Sequence, residues 1–128
     1  MGDNMSMETW FSTTKHFDKW LDKLGSTTRT RIKAHVDKGR DERHFGDHKG
    51  VGGGEVSEMR LDFGPGYRLY YTAWEYKGWA LMMLLGGDKS TQPSDIKKAK
   101  ALLPAAKARM EQAIDEELKR REEAKHGK

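Results

Sequence analysis

Residues 56–92 read VSEMRLDFGPGYRLYYTAWEYKGWALMMLLGGDKSTQ, three strand-like runs separated by two glycine turns. In the first run Met59, Leu61 and Phe63 alternate with Glu58, Arg60 and Asp62. In the second, Tyr67, Leu69 and Tyr71 alternate with Arg68, Tyr70 and Thr72. A period of two puts each set on one side of a pleated strand, and Gly64-Pro65-Gly66 between them is a hairpin signal. With Phe63 facing Tyr67, counting outward sets Asp62 opposite Arg68, Leu61 opposite Leu69, Arg60 opposite Tyr70 and Met59 opposite Tyr71. A slip of one residue would bury the charged row, so the pattern holds the pairing. The expected sheet has one apolar face and one face carrying Glu58, Arg60, Asp62, Arg68 and Tyr70. Residues 79–85 (WALMMLL) are apolar throughout, as in a strand covered on both sides and interior to its sheet.

The segments around this stretch supply helices. Residues 5–12 alternate weakly and predict a first strand. Thr13 or Thr14 offers a capping hydroxyl, and Phe17, Trp20, Leu21 and Leu24 follow at helical spacing, with Gly25 as the expected left-handed stop. Ser26 is the expected cap of a second helix with Ile32 and Val36 inward and Gly39 at its end. Arg29, Arg31, Lys33 and Lys38 lie on its outer face, read either as a solvated surface or as groups that position phosphates. Residues 40–54 (RDERHFGDHKGVGGG) are Gly-rich and aperiodic, and predict a surface loop. His44, Asp47 and His48 within it lack a third firm ligand and do not make a metal site. Lys49 leads from this loop toward the Arg60 row.

After the third strand, Gly86 to Gln92 read as a polar turn in which Ser90 or Thr91 caps a helix. Ile96, Ala99, Leu103, Ala106, Met110 and Ala113 then recur in steps of three and four, a packing seam that Pro104 is expected to kink or split. That seam is free to meet the chain's own sheet, a partner protein or a second copy in a homodimer. The predicted fold class is α+β: a small, mostly antiparallel sheet, an N-terminal helical hairpin covering one face, and a C-terminal helix. The domain reading is residues 1–103 as the folded unit and 104–128 as a charged helical extension.

The 128-residue length suits one domain. A third of the residues are charged and the formal net charge is +4, compatible with a polyanionic partner but weak by itself. No cysteine is present, which removes disulfides, thiolate metal sites and Cys nucleophiles. No run approaches the ~18 apolar residues of a membrane span, and the N-terminus lacks the pattern of a signal peptide. A cytoplasmic location without membrane association is therefore expected, with no cofactor or metal.

Arg60, Arg68, Lys49 and Lys89 converging on one sheet face would suit a phosphodiester, because guanidinium groups fix phosphate oxygens and stabilise charge that builds in the transition state. RNA carries its own 2′-hydroxyl nucleophile, so such a face can cleave it without metal. The structural alternative is a cross-strand ion pair between Arg68 and Asp62 and stacking of Arg60 on Tyr70. Pattern alone leaves both open.

The segments KHFDKWLDKL, FGDHKGVGGGEVSEMRLDFGPGYRLYY and LLGGDKSTQPSDIKKAKAL resemble the RelE/ParE superfamily of toxins from type II toxin–antitoxin modules, in particular its HigB-like "addiction module killer protein" branch. The resemblance runs from about Thr9 to Ala101. It implies a small α+β toxin silenced by a cognate antitoxin of helix-turn-helix type, and an mRNA endonuclease (an mRNA interferase) acting on the translating ribosome. Arg68 matches the arginine that contacts the scissile phosphate, Arg60 a basic strand residue, and Lys89 a late basic loop residue. The pattern departs at Glu58, where a lysine is expected, and in STQPSDIKKAK, which lacks the expected tyrosine. Lys49, His48 or Tyr70 would then accept the proton, or cleavage is poor. The ParE arm of the superfamily implies the alternatives: a non-catalytic gyrase inhibitor, or an inactive relative that binds only its antitoxin.

Overall fold

The computed structural model describes residues 8–43, 48–51 and 55–126. In chain order it contains strand β1 (Thr9–Thr13), helices α1 (Lys15–Asp22) and α2 (Ser26–Glu42), and strands β2 (His48–Val51), β3 (Val56–Arg60), β4 (Tyr67–Glu75) and β5 (Trp79–Asp88). A single 3-10 turn (Lys89–Thr91) then leads into helix α3 (Gln92–His126). The strands form one sheet in the order β1-β5-β4-β3-β2. β1 runs parallel to β5 and the other neighbours are antiparallel. The expected α+β architecture is present, and β5 is interior as its unbroken apolar run requires.

β2 is an addition. It falls inside the segment expected to be a loop, and its four residues (HKGV) carry no period to announce it. It forms by pairing with β3, Lys49 opposite Glu58 and Val51 opposite Val56, so its strand state comes from a tertiary partner rather than local propensity. Residues 1–7, on which part of the expected first strand falls, and residues 44–47, with His44 and Asp47, lie outside the described residues, as do the side chains of His48 and Lys49.

The Thr14 hydroxyl caps α1 by accepting from the Phe17 N–H at 3.1 Å, and donates to the Leu84 carbonyl at 2.6 Å, tying the helix start to β5. Gly25 is not the left-handed stop of α1. It has φ −62° and opens α2 in place of Ser26. α2 also runs past Gly39, which is buried within it, and ends at Arg43 with φ 55°. Arg43 can close the helix there because its Nη2 donates to the Glu8 carbonyl and the Thr9 hydroxyl beside β1.

The β3–β4 register differs from the count by two residues: Arg60 pairs with Arg68, Met59 with Leu69, Glu58 with Tyr70 and Ser57 with Tyr71. The ladder ends earlier than expected. Residues 61–66 make a wider loop closed by the Leu61 N–H to the Tyr67 carbonyl at 3.0 Å. Gly64 and Gly66 both take positive φ in it, a conformation side chains resist. Phe63 thereby leaves the ladder and meets α2, with the Arg31 guanidinium 4.0 Å from its ring centre and the His35 ring stacked at 5.8 Å. A shift of two preserves which face each side chain takes.

Both faces of the sheet are covered, not one. On one side, α1 and α2 bury Phe17, Leu21, Ile32 and Val36 against Met59, Leu69, Leu81 and Met83. On the other, α3 buries Ala99, Leu103, Ala106, Met110 and Ile114 against Val56, Tyr70, Met82 and Leu84. A bulge between Tyr70 and Tyr71 places Leu84 and Leu85 together on the α3 side. α3 continues through Pro104 as one helix, with the proline on its exposed side. The seam left open by the sequence is occupied by the molecule's own sheet. The charged half of α3 is tied down as well: Trp74 Nε1 donates to Glu111 at 2.9 Å, the Tyr76 hydroxyl and Lys77 ammonium donate to Asp115, and Arg121 reaches Glu8 at 3.2 Å. No described helix is long and apolar enough to cross a membrane.

Candidate functional site

The polar row of the hairpin lies on the α3 side of the sheet, at the end where the hairpin loop, the β5 terminus and the start of α3 meet. Ladder geometry assembles it. Arg60 stands opposite Arg68, Glu58 opposite Tyr70, and Lys49 opposite Glu58 on the far strand. β5 contributes Gly87 beside Arg68. The glycine leaves room for α3, since a Cβ there would sit 2.0 Å from the Asp95 carboxylate.

Arg68 is not the open guanidinium that the alternation suggests. Its Nε lies 3.3 Å from Glu58 Oε2, and its side chain is 12% exposed while that of Glu58 is fully buried. Nη1 donates to the carbonyls of Gly66 (3.1 Å) and Tyr67 (3.4 Å) at the loop rim. Gln92, the first residue of α3, donates its amide to the same Glu58 oxygen. The acid that holds Arg68 is therefore Glu58 and not Asp62, which is exposed in the loop. The two-residue register difference is the reason, because it moves Asp62 off the ladder.

Tyr70 is fully buried beneath α3. Desolvation, reinforced by the Glu58 and Asp95 carboxylates and opposed by Arg68, raises its phenol well above the ordinary value, so it stays protonated at any physiological pH. Neither its hydroxyl nor Glu58 Oε1 has a hydrogen-bond partner among the described residues. Asp95, also buried, accepts from the Thr91 hydroxyl. Asp88 caps the 3-10 turn by accepting from the Ser90 N–H at 2.8 Å, and these Ser90 hydrogen bonds hold its carboxyl below the usual range.

Of the other cations, Lys89 is exposed at the rim. Its Cβ and Arg68 Nη1 each lie 3.5 Å from the position a Cβ on Gly66 would take, so Lys89 and Arg68 flank one glycine. Arg60 is half-buried, opposite Arg68 on β3. The α2 group is elsewhere. Arg29 donates to the Leu24 carbonyl in the α1–α2 connection at 2.8 Å, and Arg31 covers Phe63. Lys33 and Lys38 are exposed on a helix packed against the opposite sheet face. The structure thus sets Arg60 opposite Arg68 and Lys89 beside Arg68 at Gly66, and separates these residues from the α2 cations.

Sequence reasoning missed Gln92 and Asp95. Their signal was their place in the first turn of a helix that follows Gly86-Gly87, a pair whose missing side chains admit a close neighbour. A Cβ on Gly86 would meet the Trp20 ring at 2.1 Å.

No family model matches the chain. A protein of Haemophilus influenzae (strain Rd), described only as "Uncharacterized protein", is 42% identical over 97 residues, 75% of this chain and 94% of that protein. Among solved structures, an arginine-to-alanine double mutant of the E. coli toxin RelE in the free state matches with a TM-score of 0.60 at 22% identity. That match covers 76% of this chain and all of the other. The intact E. coli RelBE toxin–antitoxin complex matches with a TM-score of 0.52 at 21% identity, over 62% of this chain and 94% of that one.

Proposed function

This chain belongs to the family of the Haemophilus influenzae protein and has the fold of RelE; from that premise we propose that it is the toxin of a type II toxin–antitoxin module, of the HigB-like kind. Its partner is then a cognate antitoxin of helix-turn-helix type. Its activity is endonucleolytic cleavage of mRNA on the ribosome, with the RNA 2′-hydroxyl as nucleophile. The observation that carries this reading is the pairing of Arg60 directly opposite Arg68, with Lys89 at the same rim. Two guanidinium groups at directly opposed positions, with Lys89 beside one of them, concentrate positive charge that an arriving anion would neutralise. A phosphodiester fits it: Arg68 and Arg60 grip the non-bridging oxygens, and Lys89 stabilises charge on the leaving side. Tyr70, protonated and enclosed, is not the proton acceptor in this arrangement. That role passes to a residue at the rim, with His48 and Lys49 the candidates on β2.

A second reading has an observation of its own. The Glu58–Arg68 pair closes the guanidinium within the fold, which suits a toxin that acts by binding, a gyrase inhibitor, or a relative that only meets its antitoxin. Controlled expression separates the readings. The nuclease predicts growth arrest relieved by the neighbouring antitoxin, and Arg68→Ala should lose roughly 10²–10³ in cleavage rate while remaining folded. Arrest with a DNA-damage response and intact transcripts would support the inhibitor. Unimpaired growth would remove the toxin assignment altogether.

A further inference from the structure

We infer that Glu58 is a built-in counter-anion: in the free protein its carboxylate occupies the Arg68 seat, and a nucleotide phosphate has to displace it to bind. This rests on the RNA-cleaving reading above and adds to it the residue that sets the affinity of the site.

Three features of Glu58 carry the inference. It is fully buried, and its Oε2 faces Arg68 Nε at 3.3 Å, in an alignment too poor for a hydrogen bond. Its other oxygen, Oε1, has no hydrogen-bond partner among the described residues. The oxygen that faces Arg68 is also held by the amide of Gln92, the residue with which α3 begins. An ion pair selected for stability alone would be bidentate and fully satisfied. This one leaves the planar fork of Arg68 half used, with Nη1 turned to the loop-rim carbonyls of Gly66 and Tyr67. Phosphate oxygens arriving at that rim meet donors aimed near them, and they match the fork better than the carboxylate does. Binding is then an exchange of anions. The apparent RNA affinity is lowered by the fraction of molecules in which Glu58 holds the seat, and α3, through Gln92, sets that fraction.

The test is equilibrium binding of a fluorescein-labelled single-stranded RNA decamer to the purified full chain at low salt, followed by anisotropy. Glu58→Gln removes the competing charge and keeps the shape. It should bind roughly ten-fold tighter than the wild type, and the gain should vanish when Arg68→Ala is added, since the two residues then no longer interact. Gln92→Ala leaves both charges in place, so it remains informative if Glu58→Gln does not fold, and it should tighten binding by a few-fold. A Glu58 that is merely structural predicts no gain from either substitution. If both folded variants bind no tighter than the wild type, the counter-anion assignment is overturned. The wider reading survives that result if Arg68→Ala still weakens wild-type binding, and falls with it if Arg68→Ala changes nothing.

Discussion

Tyr70 carries a hydroxyl that is buried and unpartnered among the described residues, under the electrostatic influence of the Glu58 and Asp95 carboxylates. Leaving such a group unsatisfied costs about 1–3 kcal/mol. Tyr70→Phe should therefore raise stability by roughly 1 kcal/mol in a denaturant titration. A loss of stability would show instead that the hydroxyl is bonded, Lys49 being the nearest ladder neighbour outside the described side chains. At this scale the sequence is a good guide to faces and a poor one to partners. Alternation assigned Glu58, Arg68 and Tyr70 to one side correctly, because a two-residue period survives any even shift. It pairs Arg68 with Asp62 because Gly-Pro-Gly alone reads as a three-residue turn, whereas the loop runs over residues 61–66. No local pattern reveals that Phe63 is drawn out of the ladder by Arg31 and His35 of α2.

Among the elements, α3 packs across β3, β4 and β5 and closes the polar cluster. Its steps of three and four correctly marked an apolar seam, and the buried positions Ala99, Leu103, Ala106 and Met110 follow it, with Ile114 taking the place of Ala113. What the spacing could not give is the surface the seam meets, since a helix stripe looks the same against a sheet or a second helix. Ile114→Ala should cost about 2–5 kcal/mol by opening a cavity beside Trp10 and Met82, measured by thermal or denaturant unfolding. A loss below 0.5 kcal/mol would mean that the far half of α3 is not part of the cooperative core. β2 is the opposite case. Gly-rich and without period, it is a strand only because β3 offers an unpaired edge.

For the molecule as a whole, the docking of α3 depends on surface ionisation as well as on its apolar seam. Asp115 is held below its usual range by the Lys77 ammonium and then the Tyr76 hydroxyl, and Glu117 by Arg120 and Arg121. A carboxyl with a depressed folded value adds stability above its unfolded value, near 4, and loses it as pH falls through the folded one. Lys77 is raised by Asp115, so its contribution is present below about pH 10.5 and lost as pH climbs past its raised value. Stability should plateau between about pH 5 and 9. Below pH 4, Trp10 and Trp74, which lie against this half of α3, should change their fluorescence before the sheet unfolds. Emission that stays unchanged until global unfolding would contradict this. The polar cluster at the other end of α3 is where the functional account stands or falls. Its most direct test is to map transcript ends after brief expression of the wild type and of Arg68→Ala. The account predicts new ends carrying 2′,3′-cyclic phosphates within translated regions for the wild type, and their absence for the folded variant; uncut transcripts from a wild-type protein that still arrests growth would contradict it.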